Sequence, residues 1–163
     1  AKEAFRCALD VSHEHGRKVS LTLSDSFCVE RYRAEFLDLI EHHIDVLFAN
    51  EAEITSLYEV ESFDDALQKI RGHCEIAALT RSEKGAVIVS GDEIHVVDAV
   101  LGGAVVDTTG AGDLFAAGFL YGLTHDLGLA RSGRLGALCA AEVISHLGAR
   151  PEDDLAAYVE RSA

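Results

Sequence analysis

The stretch VVDTTGAGDLFAAGFLYGL, residues 105–123, sets Asp113 directly after Gly110-Ala111-Gly112, where small residues give way to a helical pattern. A carboxylate is favoured at a helix N-terminus, because the first-turn N–H groups carry partial positive charge. The three small residues ahead of it have no such stability reason. They leave backbone N–H groups bare and open to approach, as an anion site requires.

Outward from this turn the chain alternates strand-like and helix-like segments. Residues 2–15 predict a helix closed by Gly16, and 18–24 a short strand. Residues 29–42 predict a helix whose period runs through Tyr32, Phe36, Leu39 and Ile40. The apolar run 45–50 predicts a strand, followed at once by a helix from Glu51 and another over 63–72, with Asp64 and Asp65 near its start. Residues 75–82 predict a third strand. AVIVS (86–90) and EIHVVDA (93–99) flank Gly91-Asp92, a dipeptide suited to a hairpin turn. Helices are predicted over 112–125, 130–147 and, after Pro151, 152–161. Strands alternating with helices imply an α/β fold with a mostly parallel sheet and helices on both faces. The unbroken apolar strands agree, since parallel strands are covered on both sides. No linker or repeat divides the sequence, which predicts one domain or a piece of one.

A net charge of -14 argues against a nucleic-acid surface, which needs stripes of Lys and Arg. The apolar runs are much shorter than the ~20 residues of a membrane span. Cys7, Cys28, Cys74 and Cys139 are scattered without a CxxC pair, which predicts reduced, buried structural thiols and a cytoplasmic setting. His13-x-His15 and His42-His43 lack the Cys or carboxylate cluster that would complete a metal site, so exposed helix ends account for them. The 163 residues contain no methionine and open on a helix pattern without a cap, so the chain is expected to be part of a longer protein.

Two common phosphate motifs fail. Phe115 stands where the third glycine of a dinucleotide fingerprint belongs, and Arg134-Leu135 follows Gly128–Gly133 where a Walker A loop needs Lys and Ser or Thr. The run Asp107-Thr108-Thr109-Gly110-Ala111-Gly112-Asp113, extended by Gly118-Phe119-Leu120, resembles signature two of the PfkB/ribokinase family of carbohydrate and nucleoside kinases. That resemblance implies a ribokinase-like three-layer αβα fold of which residues 1–163 are the carboxy-terminal, ATP-binding and catalytic part, the amino-terminal half and lid being absent. It implies Asp113 as the base that takes the proton of the substrate hydroxyl, and Gly110, Ala111 and Gly112 as an anion hole for the transferred phosphate. The chemistry makes independent sense, because phosphoryl transfer is mostly positioning and stabilisation of phosphate charge.

Further segments extend the resemblance. Asn50-Glu51-Ala52-Glu53 is similar to an N-x-x-E motif, which implies Asn50 at the nucleotide and Glu53 holding magnesium through water; a helix cap with acids in its first turn is the alternative reading of the same residues. LTRSEKG (79–85) matches a phosphate- and ribose-contacting turn at Thr80 and Gly85, with Ser82 where a glycine is usual. AAEVISHLGAR (140–150) implies His146 near the adenine ring, and Gly148 with Asp107 and Thr109 near a potassium ion. A satisfied structural histidine is the other account of His146. The expectation is an ATP- and magnesium-dependent kinase for a hydroxymethyl group of adenosine or a sugar, the alternative being a non-catalytic nucleotide-binding fragment. Its partners would be ATP and a small sugar or nucleoside, with no nucleic acid and no membrane, and a homodimer is allowed.

Overall fold

A computed structural model describes residues 2–100 and 103–162. Five strands, β1 (Ser20–Thr22), β2 (Val46–Asn50), β3 (Ile76–Thr80), β4 (Ala86–Ser90) and β5 (Glu93–Val97), form one mostly parallel sheet in the order β1-β2-β3-β4-β5. The chain divides into two compact units, one running to Leu79 and including Val89–Glu93, the other comprising Thr80–Ile88 and the chain from Ile94 onward. Among the described residues, no helix is long and apolar enough to cross a membrane.

In the first unit, helix α1 (Lys2–Glu14) buries Leu9 against Leu21 and Ile44. The strand expected over 18–24 is cut to three residues. Ser24 takes a left-handed φ of 67°, and the Asp25 carboxylate accepts the Phe27 N–H at 2.6 Å, capping α2 (Ser26–Arg31). β1 runs parallel to β2, with Ser20 opposite Val46 and Thr22 opposite Phe48. The single helix expected over 29–42 is two, because the backbone leaves helical angles at Tyr32 (φ -125°, ψ 28°) before α3 (Arg33–His42). The Tyr32 ring lies 5.1 Å from the Lys2 ammonium and 5.3 Å from the Arg31 guanidinium. Helix α4 (Glu51–Tyr58) follows β2 without a gap. Helix α5 (Phe63–Ile70) begins at a Ser62 cap and buries Phe63, Ala66, Leu67 and Ile70, the stripe of a helix lying on a core. β2 and β3 each bury four of five residues, as strands covered on both faces do.

The second unit is built on helices α6 (Ala111–Thr124) and α7 (Leu129–Val143), packed at glycine-lined contacts. A Cβ on Gly118 would meet Cys139 Sγ at 2.9 Å, one on Gly122 would meet Ser132 Oγ at 2.6 Å, and one on Gly136 would meet the Phe115 carbonyl at 2.7 Å. Gly118, which extends the 107–113 resemblance, therefore serves close helix packing. α7 stops at Val143, short of the expected 147, and 152–161 is a 3₁₀ turn (Leu155–Ala157) followed by one short helix, α8 (Tyr158–Arg161). Strand β5, entered through Gly91 at φ 57°, buries only Val97 and leaves Val96 exposed, which marks an edge. The cysteine expectation needs correction. Cys139 is buried and Cys74 half-buried, but Cys7 and Cys28 sit on the outer faces of α1 and α2 and are exposed.

Candidate active site

Gly110 is the pivot of the 105–123 stretch. Its φ of 83° is left-handed, and a Cβ there would lie 2.8 Å from the Ala149 Cβ, so both backbone and space demand glycine. The turn closes with the Ala111 N–H donating to the Thr108 carbonyl at 3.2 Å, and the Leu114 N–H donating to the Gly110 carbonyl at 2.9 Å starts the helix ladder. Between them, the N–H groups of Gly112 and Asp113 find no acceptor among the described residues. Gly112 is exposed, and nothing lies within 4 Å of where its Cβ would be. Alanine in its place would favour the helix by up to about 1 kcal/mol. Neither packing nor propensity calls for glycine there, whereas an approaching anion does. The Asp113 carboxylate is exposed and makes no hydrogen bond or ion pair within the described residues.

Asp107, Thr109 and Gly148 come together beside this turn. Asp107 Oδ1 accepts the Thr109 N–H at 2.9 Å and the Thr109 hydroxyl at 2.7 Å, and Oδ2 accepts the Gly148 N–H at 3.0 Å. The Gly148 donor first, then the two from Thr109, hold the Asp107 carboxyl down at about 2. An unfolded aspartate titrates near about 3.9. The stability this carboxylate contributes is therefore fully present above that value and is lost as pH falls through about 2. Carboxyl carbon shifts followed against pH should place the Asp107 midpoint well below 3, within about a unit of that value. A midpoint near 4 would mean the three donors are not on the carboxylate in solution.

Thr80 ends β3, and residues 82–84 form a single 3₁₀ turn that returns the chain to β4. Ser82 holds φ 52°, the conformation that glycine adopts freely, so the serine keeps the backbone shape expected of the glycine. Gly85, at φ 83° and ψ -132°, abuts the backbone of 97–99.

Asn50 and Glu53 lie in the first unit and form a reciprocal cap on α4. The Glu53 N–H donates to Asn50 Oδ1 at 2.8 Å, while the Asn50 N–H and side-chain amide donate to Glu53 Oε2 and Oε1 at 2.9 and 2.7 Å. Glu53 is buried; desolvation raises its carboxyl above the usual range, opposed by the Asn50 N–H and helped by the nearby Asp25 charge. Both carboxylates line a hollow of about 280 Å³ with Ser24, Ser26, Phe27 and Asn50. The Asp25 charge disfavours ionised Glu53, a repulsion that a hard cation would relieve. Asn50 donors already occupy both Glu53 oxygens and the Phe27 N–H occupies Asp25 Oδ1, so these carboxylates suit a cation held at a distance through water, as magnesium is, rather than one bound directly.

His146 has structural partners. Its Nε2 donates to Glu142 Oε1 at 3.2 Å, and its ring borders a hollow of about 210 Å³ with Ser145 and Tyr158. Glu142 is the residue the sequence did not single out. Its buried Oε1 also accepts the N–H groups of Glu152 and Asp153 at 2.7 and 3.0 Å, tying the 149–154 segment to α7. A lone glutamate inside the small and apolar run 137–144 was the available signal. In the first unit the His13 and His43 rings stack at 5.8 Å, and His13 Nε2 lies 3.2 Å from the His43 carbonyl.

The model of the pfkB family carbohydrate kinases matches residues 1–155. A probable sugar kinase from Rhizobium etli is 50% identical and superposes with a TM-score of 0.95, covering 99% of this chain and 49% of its own. Adenosine kinase from Sinorhizobium meliloti is 48% identical with a TM-score of 0.95, covering 99% and 50%. A nucleoside kinase from Methanocaldococcus jannaschii is 32% identical over 120 residues, 72% of this chain and 38% of that protein. The chain thus spans half or less of the length of these relatives.

Proposed function

This chain belongs to the pfkB family of carbohydrate kinases, and from that premise we propose that it supplies the nucleotide-binding and catalytic part of an ATP-dependent kinase whose acceptor is a hydroxymethyl group of adenosine or a sugar. The observation that carries the proposal is the open turn at Gly112. Two unbonded N–H groups and a free carboxylate share the first turn of α6, with empty space where a side chain would stand. In the proposed step the acceptor hydroxyl gives its proton to Asp113 as its oxygen attacks the γ-phosphorus in line. The bond to the bridging oxygen breaks and ADP leaves, while the N–H groups of Gly112 and Asp113 stabilise charge on the transferred phosphate oxygens. In the first unit, Glu53 and Asp25 are the residues proposed to hold magnesium through water.

Likeness to an adenosine kinase and a sugar kinase at nearly equal identity supports both acceptor classes. ADP release by the full-length protein, assayed across nucleosides and sugars with magnesium, should appear with one acceptor class only. A panel without any acceptor-dependent ADP defeats the proposal. The 163-residue chain alone, spanning about half of its structural relatives, is proposed to bind nucleotide without turnover, because half a site cannot exclude water or hold an acceptor. Calorimetry with ATP and magnesium beside a turnover assay tests this, and turnover by the fragment would sink it.

A further inference from the structure

We propose that Asp107 is a positioning residue that fixes the phosphate-facing turn through its own hydrogen bonds, so that phosphoryl transfer by the full-length protein needs no monovalent cation. The proposal rests on the kinase reading above and adds to it how the turn is aimed. The family resemblance places potassium at Asp107, Thr109 and Gly148. A potassium ion needs oxygen lone pairs turned toward it, as hard cations do. The groups gathered on the Asp107 carboxylate have the opposite polarity: the Thr109 N–H and hydroxyl on Oδ1 and the Gly148 N–H on Oδ2 all present hydrogen. The nearby Ile144 carbonyl is occupied in the same way, accepting the Val106 N–H at 2.8 Å and the Asp107 N–H at 3.4 Å. A cation entering here would face the positive ends of three donors and would have to displace them. This set does not fit potassium.

The same bonds explain how the turn is held without one. Three stitches join 106–110 to 144–149: Val106 and Asp107 to Ile144, Asp107 to Gly148, and the close approach of Gly110 to Ala149. Asp107 also fixes Thr109, the residue before the Gly110 pivot. The direction of the Gly112 and Asp113 N–H groups is thereby set by neutral donors and one carboxylate within the unit.

The test uses the full-length protein at matched ionic strength in potassium chloride or tetramethylammonium chloride, with thallium(I) as a potassium surrogate in calorimetry. The wild type should turn over at the same rate in both salts and show no saturable thallium isotherm. Asp107→Ala should lower kcat by about 10–100-fold, the cost of a misplaced group, with a smaller change in KM for ATP and no recovery in potassium. Asp107→Asn, which keeps an acceptor for Thr109, should recover part of that loss. Activation of the wild type by potassium of about tenfold or more, within the range of an ordinary effector coupling, overturns the proposal. A one-site thallium isotherm abolished in Asp107→Ala does so too, as does an unchanged kcat in Asp107→Ala. An enzyme silent with every acceptor defeats the kinase reading instead, and the thallium isotherm then decides cation binding alone.

Discussion

Asp113→Asn in the full-length protein is expected to bind ATP nearly as the wild type does and to turn over about 10²–10⁴-fold more slowly, the usual worth of a positioned general base. Asparagine keeps the size of the side chain and its place in the first turn of α6, but cannot take a proton. The groups proposed to face the phosphate are the backbone N–H donors of Gly112 and residue 113, which the substitution leaves in place. Gly112→Val should fail in the other order. Nothing lies within 4 Å of a Cβ at that position, so the fold can accept the valine, and a lost nucleotide affinity could not be assigned to misfolding. The branched side chain would stand where the phosphate approaches, and the nucleotide Kd should rise steeply before kcat is considered. Measuring kcat beside a direct nucleotide Kd for both variants separates the roles. Near-normal turnover in Asp113→Asn would reduce Asp113 to a helix-end acid.

The local features legible in the sequence are those decided by neighbours a few residues away. The turn at Gly110–Gly112, the Asn50–Glu53 cap and the Gly91 hairpin turn need only local backbone rules. β2 and β3 read correctly because an apolar run bounded by polar residues has few alternatives at that length. The misses follow from partners far along the chain. α7 was expected to reach 147, but the Ile144 carbonyl is taken by N–H groups of Val106 and Asp107, and the helix ends there. Residues 152 and 153 are held by Glu142, and the first turn opens only after Asp154, extended at φ -73° and ψ 100°, caps the Ala156 N–H at 3.0 Å. A helical period cannot reveal either competitor. Ser24 likewise ends β1 by a left-handed angle that no pattern of apolar residues announces.

Gly85→Ala is expected to destabilise the fold by about 3 kcal/mol or more, through strain and overpacking together. At φ 83° and ψ -132° the residue lies outside what an L side chain adopts without cost. The added Cβ would stand 2.0 Å from the Val97 carbonyl oxygen, 2.7 Å from the Ala99 nitrogen and 2.9 Å from the Asp98 carbonyl carbon. All three are backbone atoms, so no rotamer change can relieve the overlap, and the 81–85 turn or the 97–99 segment would have to move. Two bonds oppose that movement, the Arg81 N–H to the Gly85 carbonyl at 2.7 Å and the Gly85 N–H to the Ser82 carbonyl at 3.0 Å. Ser82→Gly, three residues away, is the contrasting case. It relieves a left-handed serine of about 1–2 kcal/mol of strain, partly offset by the extra freedom of glycine in the unfolded chain, so stability should hold or rise slightly. Chemical denaturation of both variants measures the difference, and a Gly85→Ala protein within about 1 kcal/mol of the wild type would show that the turn does not approach 97–99 as described. Close packing alone thus demands the glycine that the family resemblance assigns to nucleotide contact. Weakened ATP binding in Gly85→Ala would report a displaced turn, so the contact itself is better tested at Thr80, where the side chain can be shortened to serine while its hydroxyl is kept.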